Sequence, residues 1–187
     1  MARVSERDWV RAALRSLSEG GAKAIRVEAL ARDLGVTKGS FYHHFKNRDA
    51  VLYAAFDAWR ELATLAIIEA VNAGSEEPAL RLEALCQAAF FSTLGEERVE
   101  AAIRDWAAQD PEIASQLAEV DQRRLDYVQG LLQAHGLSPQ SAMERSQILY
   151  RCLIGNSVWR RQSGPALTES ALRELLALLL SRPPKSA

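Results

Sequence analysis

"IRVEALARDLGVTKGSFYHHFKNRDAVLYAAF", residues 25 to 56, holds two short apolar patterns on either side of one glycine. Val27, Leu30, Ala31 and Leu34 recur at i, i+3, i+4 and i+7, which is the stripe of a one-sided helix stopped by Gly35. A second short helix comes next, and the Leu34-Gly35-Val36-Thr37 junction has the layout of a helix-turn-helix. Glycine permits a left-handed turn, Val36 plugs the angle between the helices, and Thr37 caps the second of them.

The second helix carries the functional information. At about 100° per residue, Phe41 and Phe45 fall about 40° apart and point into a core. Gly39, His43 and Lys46 then lie on the opposite side, flanked by Ser40 and Tyr42. The adjacent His43 and His44 are about 100° apart on a regular helix, so they cannot chelate one metal ion. Gly39 lets the helix start approach a surface closely, and Thr37 and Ser40 offer hydroxyls. The positive helix amino terminus favours a phosphate oxygen. Lys38, Lys46 and Arg48 add charge. Tyr42 can reach a phosphate with its hydroxyl or a thymine methyl with its ring, and His43 can address base edges. A short helix with this face fits a DNA major groove; the plainer reading makes Tyr42 and His43 ordinary, partly buried side chains.

Charge distribution points the same way. The whole chain of 187 residues has a formal net charge of −1. Through Arg48 there are ten Lys and Arg against five Asp and Glu, while the remainder holds 13 basic and 19 acidic residues. A basic module on an acidic body is the footprint of a nucleic-acid binder. With 48% hydrophobic residues the chain can bury a proper core. No apolar run is long enough for a membrane span, and the charged start Met1 to Asp8 does not lead into a secretory core, so a cytoplasmic protein is expected. Cys86 and Cys152 sit in apolar helical patterns, where both read as small buried hydrophobes and a disulfide is unexpected.

An all-α fold of about nine helices is expected. Leu and Ala total 56 residues, Val, Ile and Thr only 21, and no stretch alternates as a strand would. Ser5 caps a first helix with the stripe Trp9, Val10, Ala13, Leu14 and Leu17, stopped by Gly20 and Gly21. Asn47 opens a long fourth helix running to about Ala73, with Leu52, Ala55, Phe56, Trp59, Leu62 and Ala66 on one side. Pro78 begins the next, ended by Gly95, and Val99, Ile103 and Trp106 mark another. Asp110-Pro111 and Ser138-Pro139 open two long helices, roughly 111 to 134 and 139 to 162. Gly164-Pro165 breaks the second, Thr168 starts a last helix, and Pro183-Pro184 closes it.

The stretch from 25 to 56 resembles the DNA-binding domain of tetracycline-repressor-type (TetR/AcrR) transcriptional regulators. The resemblance rests on the Gly35-Val36-Thr37 turn, the Lys38-Gly39-Ser40-aromatic-Tyr42 helix, the His44-Phe45 pair and the basic Arg48. It implies DNA contacts from Lys38, Ser40, Tyr42, His43 and Arg48. One position departs: where such proteins place Thr at the start of the second helix, this chain has Arg26, which cannot cap but can bind a phosphate by charge. Arg26, Thr37, Lys38, Gly39, Ser40, Tyr42, His43, His44, Lys46 and Arg48 make up the expected DNA-binding set. Arg3 is a further candidate for backbone contact, whereas Arg7 reads as solvated charge.

The family plan implies a helix-turn-helix domain over residues 1 to 48 and an effector-binding and dimerisation domain over 49 to 187. Leu149, Leu153, Val158 and Trp159 in one helix, with Leu172, Leu175, Leu176, Leu178, Leu179 and Leu180 in the next, are too many apolar positions for one surface. A symmetric interface between two copies is expected to bury the excess, with Leu149, Leu153, Trp159, Leu172, Leu175, Leu176 and Leu179 taking part. Trp59, Phe90, Phe91, Trp106, Tyr127, Tyr150 and Cys152 are candidates for a mostly apolar effector pocket, each of them equally readable as core. Arg104, Asp105, Arg123 and Arg124 could orient a polar group there or simply pair along helix surfaces.

The expected function is a ligand-responsive homodimeric repressor, released from a pseudo-palindromic operator by a small molecule. Its partners are double-stranded DNA, a second copy and an effector the sequence does not identify. No cofactor, metal or catalytic residue is expected: the histidines are His43, His44 and His135, and no HExxH, paired-cysteine or Gly-rich phosphate loop occurs. The rival is a helix-turn-helix protein that acts through protein interaction without operator binding.

Overall fold

A computed structural model describes residues 4–181, and among these every regular element is helical. In chain order they are α1 (Glu6–Gly20), α2 (Val27–Asp33), α3 (Lys38–Tyr42), α4 (Arg48–Arg60), α5 (Ala66–Gly74), α6 (Pro78–Phe90), α7 (Leu94–Ala107), α8 (Pro111–Ala134), α9 (Pro139–Arg161) and α10 (Glu169–Leu180). A single turn of 3-10 helix, Ala22–Ala24, precedes α2, and a π-helical turn, Glu61–Leu65, joins α4 to α5. The chain packs as two units. One comprises the residues up to Leu65 together with Gly95–Ala118, the other Ala66–Leu94 together with the chain from Glu119 onward. Arg3 and Pro183-Pro184 lie outside the described residues.

Local signals set most helix ends. Ser5 precedes α1, and the Asp8 carboxylate accepts its backbone N–H at 2.9 Å and its hydroxyl at 2.6 Å. Those two bonds hold the Asp8 carboxyl below its usual range. Asn47, Ser138 and Thr168 each accept the backbone N–H three residues on, at 2.9, 3.2 and 3.1 Å. The Asp110 carboxylate does the same work before Pro111, accepting from Glu112 and Ile113. Thr37 occupies the cap position of α3 but makes no side-chain cap bond, so its expected capping role is not realised.

Two expected boundaries move. Gly95 lies in the first turn of α7, because α6 already ends at Phe90. The long fourth helix is interrupted: an i to i+5 turn inserts one residue into the ladder, so the buried position after Trp59 is Thr64, five residues on. Leu62, expected on the buried stripe, is rotated outward and is 63% exposed.

In the first unit the core is aromatic at its centre. Trp9 of α1 and Phe41 of α3 are fully buried, with ring centroids 5.2 Å apart and edge to face, and Phe45 packs on Phe41 at 5.6 Å. Ala13, Leu17, Ile25, Leu30, Val51 and Ala55 complete the cluster around them. Phe41→Ala is expected to cost about 3 to 5 kcal/mol, a large share of a domain's stability. The check is chemical denaturation followed by tryptophan fluorescence, since Trp9 faces Phe41; a loss under about 1 kcal/mol would deny Phe41 its place in the core.

The second unit has its own core, in which Leu82, Cys86 and Phe90 of α6, Leu132 of α8, Leu149 of α9 and Leu172, Leu176 and Leu179 of α10 meet. Burial pushes the Cys86 thiol up to about 12, which suits a space-filling residue. Cys152, by contrast, is exposed, so the expectation that both cysteines are buried holds for Cys86 alone.

Candidate nucleic-acid interface

The turn between α2 and α3 closes α2 and aims α3. Gly35 has φ +67°, and its N–H donates to Arg32 O at 3.0 Å while that of Val36 donates to Ala31 O at 2.9 Å. This pair of bonds satisfies the carbonyls that end α2, and only glycine takes the left-handed position without strain. Val36 packs against the core. The chain then re-enters a helix at Lys38, and although α3 itself stops at Tyr42, the Phe45 N–H still donates to Phe41 O at 3.0 Å. One helical turn thus carries on past Tyr42 and buries both phenylalanines.

The side of this turn away from Phe41 and Phe45 is open to solvent. Thr37, Lys38, Gly39, Tyr42, His43 and Lys46 are exposed, Ser40 and His44 are half-buried, and Phe41 and Phe45 are buried. Tyr42 stands 60% exposed with its ring edge against Phe41 at 5.3 Å. A tyrosine held by packing on one side and open to solvent on the other offers its hydroxyl in a fixed place. Beside it an open recess of about 420 Å³ is lined by Lys23, Ile25, Arg26, Val27, Glu28, Tyr42 and Arg48. Lys23 and Glu28 are members of this surface that the residue pattern did not single out; the only signal for Lys23 was its place in the basic count.

Arg26 stands before α2, where it makes no capping bond and is exposed. Arg48 behaves differently from the other cations. Its Nε donates to Ile25 O at 2.8 Å, Nη2 donates to Ala22 O, and Nη1 pairs with Asp49 at 3.0 Å. The guanidinium therefore ties the start of α4 to the segment that leads into α2, and positions Lys23 and Arg26 instead of facing solvent with all its donors. Lys38 forms an ion pair with Glu28 across the two helices. Among the described residues no cluster of His, Cys, Asp and Glu is arranged to hold a metal ion.

The other expected sites are redistributed. Leu149, Leu172, Leu176 and Leu179 are buried within the chain's own second core, and Leu153 and Leu175 pack against it, so these leucines are not a free face. Trp159, at 57% exposed, is the member of that set that points away. It shares one strip of α9 with Ile148, Cys152 and Gly155, at i, i+4, i+7 and i+11; Ile148 is 53% exposed, and Leu178 on α10 is exposed as well. Gly164 lies against the Trp159 indole so closely that a Cβ there would overlap it.

The pocket candidates are divided between the two units. Trp59 and Trp106 belong to the first unit, where Trp106 packs on Tyr53 and Phe56 and donates from Nε1 to Asp110 at 3.2 Å. Phe90, Tyr127, Tyr150 and Cys152 belong to the second. There Phe90 is core, Tyr127 donates to Asn72 at 2.8 Å and Tyr150 to Asp121 at 2.6 Å. Phe91 and Cys152 are exposed. Arg104 pairs with Glu100 along its own helix, and Arg124 reaches Tyr150.

Comparison with known proteins agrees with this geometry. Residues 10–55 match the family described as bacterial regulatory proteins, tetR family. No curated protein matches the chain in sequence. A transcriptional regulator from Rhodococcus sp. Rha1 is 22% identical, with 95% of this chain and 94% of that one covered and a TM-score of 0.74. A TetR transcriptional regulator from Legionella pneumophila is 14% identical, with 95% and 96% covered and a TM-score of 0.75. A regulator from Saccharomonospora viridis, solved in complex with choline, is 18% identical, with 93% and 92% covered and a TM-score of 0.75. Residues 10–55 thus form an amino-terminal domain of the tetR regulatory family, and the chain as a whole shares its fold with solved transcriptional regulators.

Proposed function

We propose that the protein is a homodimeric repressor that binds a pseudo-palindromic operator and leaves it when a small molecule binds. The observation that carries this reading is the two-sided turn from Thr37 to Lys46: two buried phenylalanines fix it, and everything between them that faces solvent is polar, basic or small. Ser40, Tyr42 and His43 enter the major groove, while Lys38 at the start of α3, with Thr37, Lys46, Arg26 and Lys23, holds phosphates. His44, half-buried beneath them, steadies the turn. Residues 1 to 48 thus act as the reading head, and residues from 49 onward bind effector and partner.

The second copy docks on the exposed strip of α9, with Ile148 and Trp159 as apolar anchors, Gly155 allowing close approach and Leu178 at its side. Effector binding belongs to the second unit. Its Asn156 side-chain nitrogen is buried without a hydrogen-bond partner, and an acceptor on a ligand would satisfy it. A solved relative holds choline, a small organic molecule, and this chain is read as responding to a ligand of comparable size. No described helix is long and apolar enough to cross a membrane, which fits a regulator that works on DNA.

The test is selection of genomic fragments by the purified protein near physiological salt, followed by footprinting. A short inverted repeat with half-site centres about 34 to 36 Å apart, or a multiple of that, is expected. Direct repeats, single half-sites or protection without sequence preference would overturn the dimeric operator reading.

A further inference from the structure

The reading face contains one carboxylate among its cations. Glu28, in the first turn of α2, lines the recess with Lys23, Arg26, Tyr42 and Arg48, and it is the only acidic residue in that lining. Its Oε1 pairs with Lys38 Nζ at the start of α3, with both side chains more than half exposed. The lysine bond and the nearby Arg26 charge hold the Glu28 carboxyl below its usual range, and the bond to Glu28 in turn raises the Lys38 ammonium. An anionic oxygen thus sits within reach of two of the groups assigned to DNA, on the surface where its phosphates arrive.

We propose that Glu28 is an internal stand-in for a DNA phosphate: it occupies Lys38 in the free protein, and Lys38 leaves it to engage the duplex. This rests on the reading face assigned above. The consequence is a counterweight on backbone binding. Every complex in which Lys38 meets a phosphate gives up the Glu28 pair and leaves a carboxylate beside a polyanion, so affinity for any duplex is held down while contacts to bases are untouched. The cost is common to operator and non-specific duplex, so it lowers binding to both by the same factor and leaves their ratio unchanged.

Glu28→Gln keeps the shape of the side chain and removes the charge, and its site is exposed, so folding is not at stake. An exposed ion pair is worth up to a factor of about five, and a dimer carries two, so affinity for a non-specific duplex is expected to rise by up to about twenty-fivefold. The slope of log K against log salt is expected to steepen by up to about 0.9 per copy, which a purely structural role would not produce. Lys38→Ala is expected to cost more in the Glu28→Gln background than in the parent chain. Affinity and salt slope are read by fluorescence anisotropy on a random-sequence duplex and on the selected operator. If Lys38→Ala weakens binding and Glu28→Gln neither raises affinity nor steepens the slope, the stand-in role is overturned and the reading face survives. If Lys38→Ala changes nothing in either background, the reading face falls and this inference with it.

Discussion

Lys38→Ala combined with Tyr42→Ala is expected to abolish specific operator binding and leave helicity, thermal midpoint and oligomeric state in place. Both side chains are more than half exposed, and exposed substitutions away from caps and packed sites change stability by about half a kcal/mol or less. Tyr42 does rest on Phe41, so the midpoint can fall slightly. The effect on DNA is of another order. Contacts of this kind are worth about 1 to 3 kcal/mol each. Two are removed from each head and four from a dimer, so even the low end is about 4 kcal/mol, or roughly a thousandfold in affinity. Titration of the operator fragment with parent and double variant, beside circular dichroism and sedimentation of both, separates loss of reading from loss of fold. Operator affinity within tenfold of the parent would remove Lys38 and Tyr42 from the reading face.

The variant tests the part of the chain that the sequence made most legible, and the reason is physical. A helix-turn-helix is specified locally: Gly35 is needed for one left-handed residue, Val36 for one plug, Phe41 and Phe45 for one apolar side, all within eleven residues. Caps are local in the same sense, which is why Ser5, Asn47, Ser138 and Thr168 stand at the starts of the helices they were expected to open. Three features were not legible because distant partners decide them. The π turn at Glu61–Leu65 has no composition of its own, and that Leu62 turns outward and Thr64 inward shows only once the packing around α4 is known. Arg48 reads as one more cation until the carbonyls of Ala22 and Ile25, more than twenty residues earlier, are seen to take its donors. Leucines in α9 and α10 satisfy a core and an interface equally well by pattern, and only the fold shows Leu149, Leu172, Leu176 and Leu179 turned inward.

That last distinction leads to the second large effect, because it is the reason the proposed interface lies on the exposed strip of α9 and not on those leucines. Ile148→Asp combined with Trp159→Asp is expected to convert the dimer to a monomer in sedimentation experiments without unfolding it. Both residues are more than half exposed in the single chain, so a charge there is solvated in the monomer. In a dimer the same charges would be buried against a symmetric copy without partners, at a cost of several kcal/mol each, and two apolar anchors would be lost with them. Cys152 supplies an independent reading, since its exposed thiol lies on the same strip between the two substituted positions. It is expected to react slowly with a maleimide in the parent dimer and quickly in the variant. The effect on DNA comes from the coupling of two heads: a monomer gives up one half-site, and operator affinity is expected to fall by at least about a hundredfold, with the footprint shortened to match. A variant that stays dimeric would place the interface elsewhere on the chain. A variant that is monomeric yet binds the operator as tightly as the parent would mean that one head suffices, and the inverted repeat would then have no mechanical role.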